Sequence, residues 1–349
     1  MNNIYRFRMI TALFAVILIL VGCGMQKESE YLKVAFQHLE SLEYEKALVS
    51  FEQATQEGTT NQRVLERGLG IAYLGLGQYD EAIQHFNESI SLSDGRVQDI
   101  DYDINYHLAE AYFEKGEFDR ALEIYNAIIE LKPKDIVANF QKGVVLIRLE
   151  QKDNACVQFD KVTEIEPEDN DLVVAIFKEL SEAGYEEEGK VYIQAVLEAK
   201  EEELTELEKG KLYYYLKDYE NARQALERIA KKDQETILML GKTHEALGDL
   251  EYAITVYQSA LAREKDSVIY NQLALCHMEL GEYDDALIQI ESALAMEEAT
   301  NLEDLLFNEV IIHEYLLDFD KATVLMEAYL EKYPNDEGAI LEYEFLSTR

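Results

Sequence analysis

Residues 102–135 read YDINYHLAEAYFEKGEFDRALEIYNAIIELKPKD, and their spacing predicts a helical hairpin. Leu108, Ala109 and Tyr112 fall at i, i+1 and i+4, one apolar face of a first helix. Ala121, Leu122, Tyr125 and Ile128 form the stripe of a second helix, which must end before Pro133. Lys115-Gly116 separates the two. Ala109 and Ala121 are small where the helices would cross, so the backbones can approach closely. A hairpin this short cannot bury both stripes alone and calls for neighbours of the same kind.

The neighbours are present. The small residue of the second helix recurs at Ala47, Ala82, Ala121, Ala155, Gly189, Ala222, Ala253, Ala286 and Ala322, at separations of 31 to 39 residues. Its partner in the first helix is Ala35, Gly70, Ala109, Gly143, Gly210, Gly241 and Ala274, with Phe177 and Val310 as the exceptions. Phe177 facing Gly189 suggests that large and small exchange places in that unit. Gly77, Gly116, Gly184, Gly248 and Gly281 fall between the helices, where a C-terminus must enter the left-handed region. An aromatic and an acid often follow, as in Tyr79-Asp80 and Phe118-Asp119, the acid favoured by the dipole of the helix it opens. Pro133, Pro167 and Pro334, the only prolines, all fall just after a second helix.

Three departures are expected. The spacing of 39 residues between Ala82 and Ala121 predicts an enlarged loop around Ser91 to Asp101, and the spacing of 31 before Ala253 predicts clipped helices near Ala230 to Asp233. In the fifth unit, Asn170 to Glu203, the turn Ala183-Gly184-Tyr185 reads one residue out of register. Residues 335–349 predict a further helix through Ile340, Leu341, Tyr343 and Leu346, a cap over the last apolar edge.

Leu108-Ala109-x-x-Tyr112, Gly116-x-Phe118, Ala121, Tyr125 and Pro133 together resemble the tetratricopeptide repeat. Asn105 stands where that family has a large aromatic. The resemblance implies an all-α, right-handed superhelical solenoid of about nine hairpins over residues 28–334, with a capping helix at 335–349. It also implies that the first helices line a groove for a protein or peptide partner.

The N-terminus reads as an address. Arg6 and Arg8 precede 13 mostly apolar residues, Met9 to Val21, too few for the roughly 20 that a bilayer span needs. Leu20-Val21-Gly22-Cys23 resembles the bacterial lipobox, which implies a signal peptide at residues 1–22, a lipidated Cys23, and a tether at 23–27. An acyl anchor, at about 0.8 kcal/mol per buried CH₂, would place the body on the extracytoplasmic face of a bacterial cell membrane.

Formal net charge is −38, with 70 acidic and 32 basic residues. That balance leaves no basic stripe for nucleic acid and no electrostatic attraction to an anionic bilayer. An acidic outer face would keep such an array soluble. No Ser-His-Asp, Cys-His or phosphate-cradling motif appears. His244-Glu245 and His313-Glu314 lack the second His of a zinc-protease helix. Cys156 and Cys276 lie in separate units and read as buried small hydrophobes. No cofactor or small-molecule substrate is expected, and the chain reads as non-enzymatic. Asp99, Asp101 and Asp103 match part of a calcium loop, but Ile104 stands where the sharp turn requires Gly.

Carried over onto this sequence, the family's groove positions include Arg67, Ile71, Tyr106, Phe113, Phe140, Arg148, Lys178, Lys211, Tyr214, Tyr215, Lys242, Met278 and Phe307. Lys178, Lys211 and Lys242 share one position in consecutive units, a ladder that either meets a carboxylate-bearing ligand or pairs with neighbouring acids. The functional expectation is a membrane-anchored scaffold or assembly factor. A receptor for small extracellular peptides is the alternative and a cell-envelope enzyme the remote one.

Overall fold

The computed structural model describes residues 29–58, 61–296, 299–334 and 336–349. Cys23 and the residues before it lie outside these. Among the described residues there is no strand, and nineteen α-helices form nine consecutive hairpins and a last single helix.

The helices fall into two compact bodies, divided between Tyr192 and Ile193. The first contains α1 (Glu30–Glu40), α2 (Tyr44–Glu57), α3 (Gln62–Gly75), α4 (Tyr79–Ser91), α5 (Asp99–Glu114), α6 (Phe118–Leu131), α7 (Ile136–Arg148), α8 (Lys152–Ile165) and α9 (Asn170–Glu182). α10 (Glu186–Lys200) carries the division. The second contains α11 (Glu206–Tyr215), α12 (Tyr219–Arg228), α13 (Gln234–Ala246), α14 (Leu250–Leu261), α15 (Ser267–Glu279), α16 (Tyr283–Leu294), α17 (Leu302–Tyr315), α18 (Phe319–Lys332) and α19 (Glu337–Leu346).

One local device builds all nine hairpins. The residue between the helices has positive φ: Leu42, Gly77, Gly116, Glu150, Gly184, Lys217, Gly248, Gly281 and Leu317. The next N–H then donates to the carbonyl five residues back, as from Gln78 to Tyr73 at 2.9 Å and from Glu282 to His277 at 2.8 Å. This bond satisfies an otherwise orphaned helix carbonyl and reverses the chain. Glycine fills the left-handed position five times; the other four carry the strain of a side chain there.

The crossing residues keep fixed offsets from that turn, seven before and five after, in every hairpin. Gly184 obeys the same offsets, with Phe177 before it and Gly189 after it, so the fifth turn is in register. The displaced feature is its aromatic: Tyr185 follows the glycine directly, whereas Tyr79 and Phe118 follow theirs at two residues.

One turn beyond each second-helix small residue lies a large apolar one: Phe51, Phe86, Tyr125, Phe159, Ile193, Leu226, Tyr257, Ile290 and Met326. None is more than 1% exposed. These side chains fill the space that the small residues leave. A Cβ on Gly70 would come within 2.5 Å of Phe86, and one on Gly210 within 2.5 Å of Leu226.

Among the described residues, core clusters join a hairpin to the next first helix, as where Ala82 and Phe86 meet Ile104, Leu108 and Ala111. Ala274, Ala286 and Ile290 likewise meet Leu305 and Ile312. Stability is therefore shared between nearest neighbours.

Between units, Pro133, Pro167 and Pro334 each stand two residues past a helix end. Two residues further on, Asp135, Asp169 and Asp336 accept a backbone N–H of the next helix at 2.9–3.1 Å. Proline closes one helix and aspartate opens the next.

The enlarged loop occupies residues 92–98, and α5 begins at Asp99, earlier than the sequence reading placed it. Of the helices flanking Ala230 to Asp233, α12 is clipped to ten residues, whereas α13 keeps thirteen; the other ten-residue helix of the pair is α11. α19 buries Ala339, Tyr343 in part, and Leu346 against Met326 and Tyr329. Ile340 and Leu341, expected in that stripe, point outward instead, Leu341 at 67% exposure. Ala339, Tyr343 and Leu346 recur at i, i+4 and i+7, and a ten-residue helix offers only that one narrow stripe.

Candidate partner-binding face

First helices of successive hairpins touch one another: α1 with α3, α3 with α5 and α7 with α9 in the first body, and α11 with α13 and α15 with α17 in the second. Positions at one offset along these helices therefore form rows.

In the first body two arginines stand against aromatic rings of a neighbouring first helix, each pair at its own offset. The Arg67 guanidinium lies 5.9 Å from the Phe36 ring, and its Nε donates to Asp103 of α5. Arg63, one turn earlier, donates to Asp101 of α5 and to the Ser89 carbonyl at 3.2 Å. The Arg148 guanidinium stands 5.9 Å over Phe113, which meets Phe118 edge-on at 5.3 Å. Arginine over a ring attracts through the ring quadrupole. Ile71 packs half-buried between the first two hairpin cores. Tyr106 lies 6.5 Å from Tyr125, and burial, with the Asp135 carboxylate beside it, raises its phenol well above the ordinary range.

In the second body Tyr214 meets Tyr215 at 5.5 Å and Tyr219 at 5.6 Å. Burial and these neighbours push its phenol up to about 12. Met278 packs half-buried at the edge of the Ala274 core. Phe307 meets Tyr329 edge-on at 5.7 Å.

Three sequence expectations change. Phe140, expected in the groove, is 3% exposed and packs on Phe159 at 5.7 Å. α7 is buried around most of its circumference, so its register positions face core on several sides. Asp99, Asp101 and Asp103 occupy the first turns of a helix rather than a loop, and Asp101 and Asp103 are the carboxylate partners of Arg63 and Arg67. Arg67 thus meets the Phe36 ring and fastens α3 to α5 together. Of the lysines, Lys178 belongs to the first body, and Lys211 and Lys242 to the second. Lys211 pairs with Glu235 of the next first helix, and Lys178 and Lys242 also have neighbouring groups engaged.

Sequence reading missed Arg63 and the clasp it makes with Arg67. A partial signal was available: two arginines one helical turn apart, with aspartates 38 and 36 residues further on.

All six histidines lie beside carboxylates: His38 and Glu43 at 2.7 Å, His85 and Glu66 at 2.7 Å, His107 and Glu110 at 3.4 Å, His244 and Asp249 at 3.4 Å, His277 and Glu282 at 2.7 Å, and His313 and Asp318 at 3.6 Å. Burial raises the thiols of Cys156, half-buried, and Cys276, buried, the wrong direction for a thiolate nucleophile. The arrangement is equipped to bind side chains. Among the described residues no helix is long and apolar enough to cross a membrane.

Comparison with known proteins points to one repeat type. Tetratricopeptide repeat models match residues 67–136 and 238–301, residues 206–236 and residues 136–169, together more than half of the chain. The chain is 28% identical over 156 residues to anaphase-promoting complex subunit 3 of Schizosaccharomyces pombe (strain 972 / ATCC 24843), covering 44% of this chain and 23% of that one. It thus spans about a quarter of that relative's length. A tetratricopeptide repeat protein from Parabacteroides merdae ATCC 43184 is similar at 16% identity and a TM-score of 0.44, covering 82% of this chain and 96% of that one. YrrB, described as having an unusual peptide-binding site, is similar at 17% identity and a TM-score of 0.35, covering 63% and 97%.

Proposed function

Because the chain belongs to the tetratricopeptide repeat family, we propose that it is a non-enzymatic scaffold that holds a protein or peptide partner on its first helices. Two ring–guanidinium pairs between neighbouring first helices, Phe36 with Arg67 and Phe113 with Arg148, carry the reading. Half-buried rings supply contact area, and the guanidiniums against them hold those rings in place, aromatic and arginine side chains being the types that concentrate binding energy in interfaces. The scaffold reading is favoured over a receptor for small extracellular peptides because Lys211, a rung of the lysine ladder that would meet a ligand carboxylate, is already met by Glu235.

We further propose a lipid anchor at Cys23. It is supported by the basic stretch, the short apolar stretch and the Leu20-Val21-Gly22-Cys23 box standing in order. The anchored chain would work on the extracytoplasmic face of a bacterial membrane.

The test is crosslinking capture from native membranes with three proteins: wild type, Phe113→Ala with Arg148→Ala, and Val157→Ser on an exposed outer position. A partner lost only from the double variant supports the scaffold reading; equal recovery by all three overturns it. Cys23→Ser should move the chain to the soluble fraction and remove acyl labelling, and persistence in the membrane fraction would refute the anchor.

A further inference from the structure

Four of the six histidines occupy one position, six residues before the first residue of a second helix: His38, His244, His277 and His313. In each, the imidazole Nδ1 faces a carboxylate five residues later across the left-handed turn: Glu43, Asp249, Glu282 and Asp318. The residue eight after the histidine differs. It is Lys46 in the first hairpin, where its ammonium meets Glu43 at 2.5 Å, and Lys321 in the ninth. It is Tyr252 in the seventh, with its ring 4.2 Å from that of His244. In the eighth it is Asp285, and one ligand-bearing atom from each of His277, Glu282 and Asp285 lies within 4.8 Å of the others.

The eighth turn thus puts a second carboxylate where two sister turns place a lysine. With a neutral imidazole, His38, Glu43 and Lys46 sum to zero charge, whereas His277, Glu282 and Asp285 sum to minus two. The charge deficit is that of one divalent cation. The framework is rigid: Gly281 at φ 75 sets the reversal, and the Glu282 N–H holds the His277 carbonyl at 2.8 Å. His277 is 8% exposed, so its ring is fixed by packing, while Glu282 and Asp285 are exposed and free to adjust by rotamer. The imidazole decides the metal class. Nitrogen with two carboxylates suits zinc and its transition-metal neighbours, whereas calcium and magnesium prefer all-oxygen sites.

We propose that His277 Nδ1, Glu282 and Asp285 form a binding site for a zinc-class divalent cation at the eighth hairpin turn, with water completing the coordination. The ion would displace the His277–Glu282 hydrogen bond and join the end of α15 to the start of α16. The site does not depend on the partner face proposed above.

The experiment is equilibrium dialysis of the full chain against Zn²⁺, read by elemental analysis, with excess Mg²⁺ and physiological salt to occupy and screen the acidic surface. Wild type should hold one more Zn²⁺ per chain than Asp285→Lys, the variant that copies the first and ninth turns. His277→Gln should weaken that site at least about tenfold, since even an indirect supporting partner of a metal ligand is worth about 10–100-fold. Lys46→Asp should create a further equivalent. If Asp285→Lys folds poorly by circular dichroism, Asp285→Asn takes its place. Equal Zn²⁺ uptake by wild type and the folded Asp285 variant would overturn the proposal and leave the His277–Glu282 contact as an ordinary hydrogen bond.

Discussion

Phe177 lies against Gly189: a Cβ on that glycine would stand 3.1 Å from Phe177 Cδ2 and 3.1 Å from its carbonyl oxygen. The fifth hairpin therefore crosses with its large side chain on the first helix, inverting the order seen where Gly70 accepts Phe86. Gly189 on the second helix leaves the room that Phe177 takes, while Ile193 keeps the large second-helix position.

That relationship sets an order of mutational costs. Phe177→Ala should lower stability by about 3–5 kcal/mol through the cavity it opens. Gly70→Ala, forced onto the Phe86 ring, should cost about 1–3 kcal/mol by overpacking. Gly189→Ala needs a shift of only a few tenths of an ångström, and the better helix propensity of alanine offsets it by up to about 1 kcal/mol. Urea denaturation of the three variants checks the order Phe177, then Gly70, then Gly189.

Leu317 holds φ 62 and is 74% exposed. Leu317→Gly removes left-handed strain of about 1–2 kcal/mol and returns about 0.5–1 kcal/mol in chain entropy. The expected outcome is a small gain, up to about 1 kcal/mol, read as a higher thermal midpoint. Gly77→Leu, at the same turn position, should lose a similar amount.

Glu314 of α17 faces Glu342 of the capping helix. Burial first, then the Glu342 charge and hydrogen bond, push the Glu314 carboxyl up to about 7. Its protonated form is therefore favoured in the folded chain. The contribution is full below the ordinary value of 4.5 and is lost as pH rises through about 7. Hydrogen exchange of α19 should be faster at pH 8 than at pH 5.5 after correction for intrinsic exchange, and Glu314→Gln should flatten that difference.

Arg67 and Asp103 should couple. Asp103 is subject to burial, which raises its carboxyl, and to the Arg67 hydrogen bond, which with His107 carries the net shift downward. A double-mutant cycle of Arg67→Ala and Asp103→Asn should give an interaction energy of about 1–3 kcal/mol. The stability Asp103 supplies is present above the ordinary value of 3.8 and falls away as pH drops through its lowered folded value. Additive single effects would show that the clasp contributes nothing.

The repeat frame was legible because it is local. Ala109, Gly116 and Ala121 each answer to a backbone requirement that acts within a dozen residues: a close crossing or a left-handed turn. The aromatic after the turn is under no such requirement, and following Tyr185 misplaced the fifth register by one residue. Phe140 was misread for a related reason. A helical register says which side of α7 a residue occupies, but not that neighbouring helices cover several of those sides.

The side chains of the partner face show the same division. Sequence placed Arg67 and Lys211 on the first helices; only the packing of α3 on α5 and α11 on α13 joined them to Asp103 and Glu235. From the sequence alone came the hairpin count, the turns and the crossing residues, since these depend on offsets that covalent geometry and the helix period impose. Tertiary structure decided which charges are neutralised and which rings remain at the surface. Those outcomes depend on distances between residues some 24 to 38 positions apart, and neighbouring helices set such distances where local periodicity cannot.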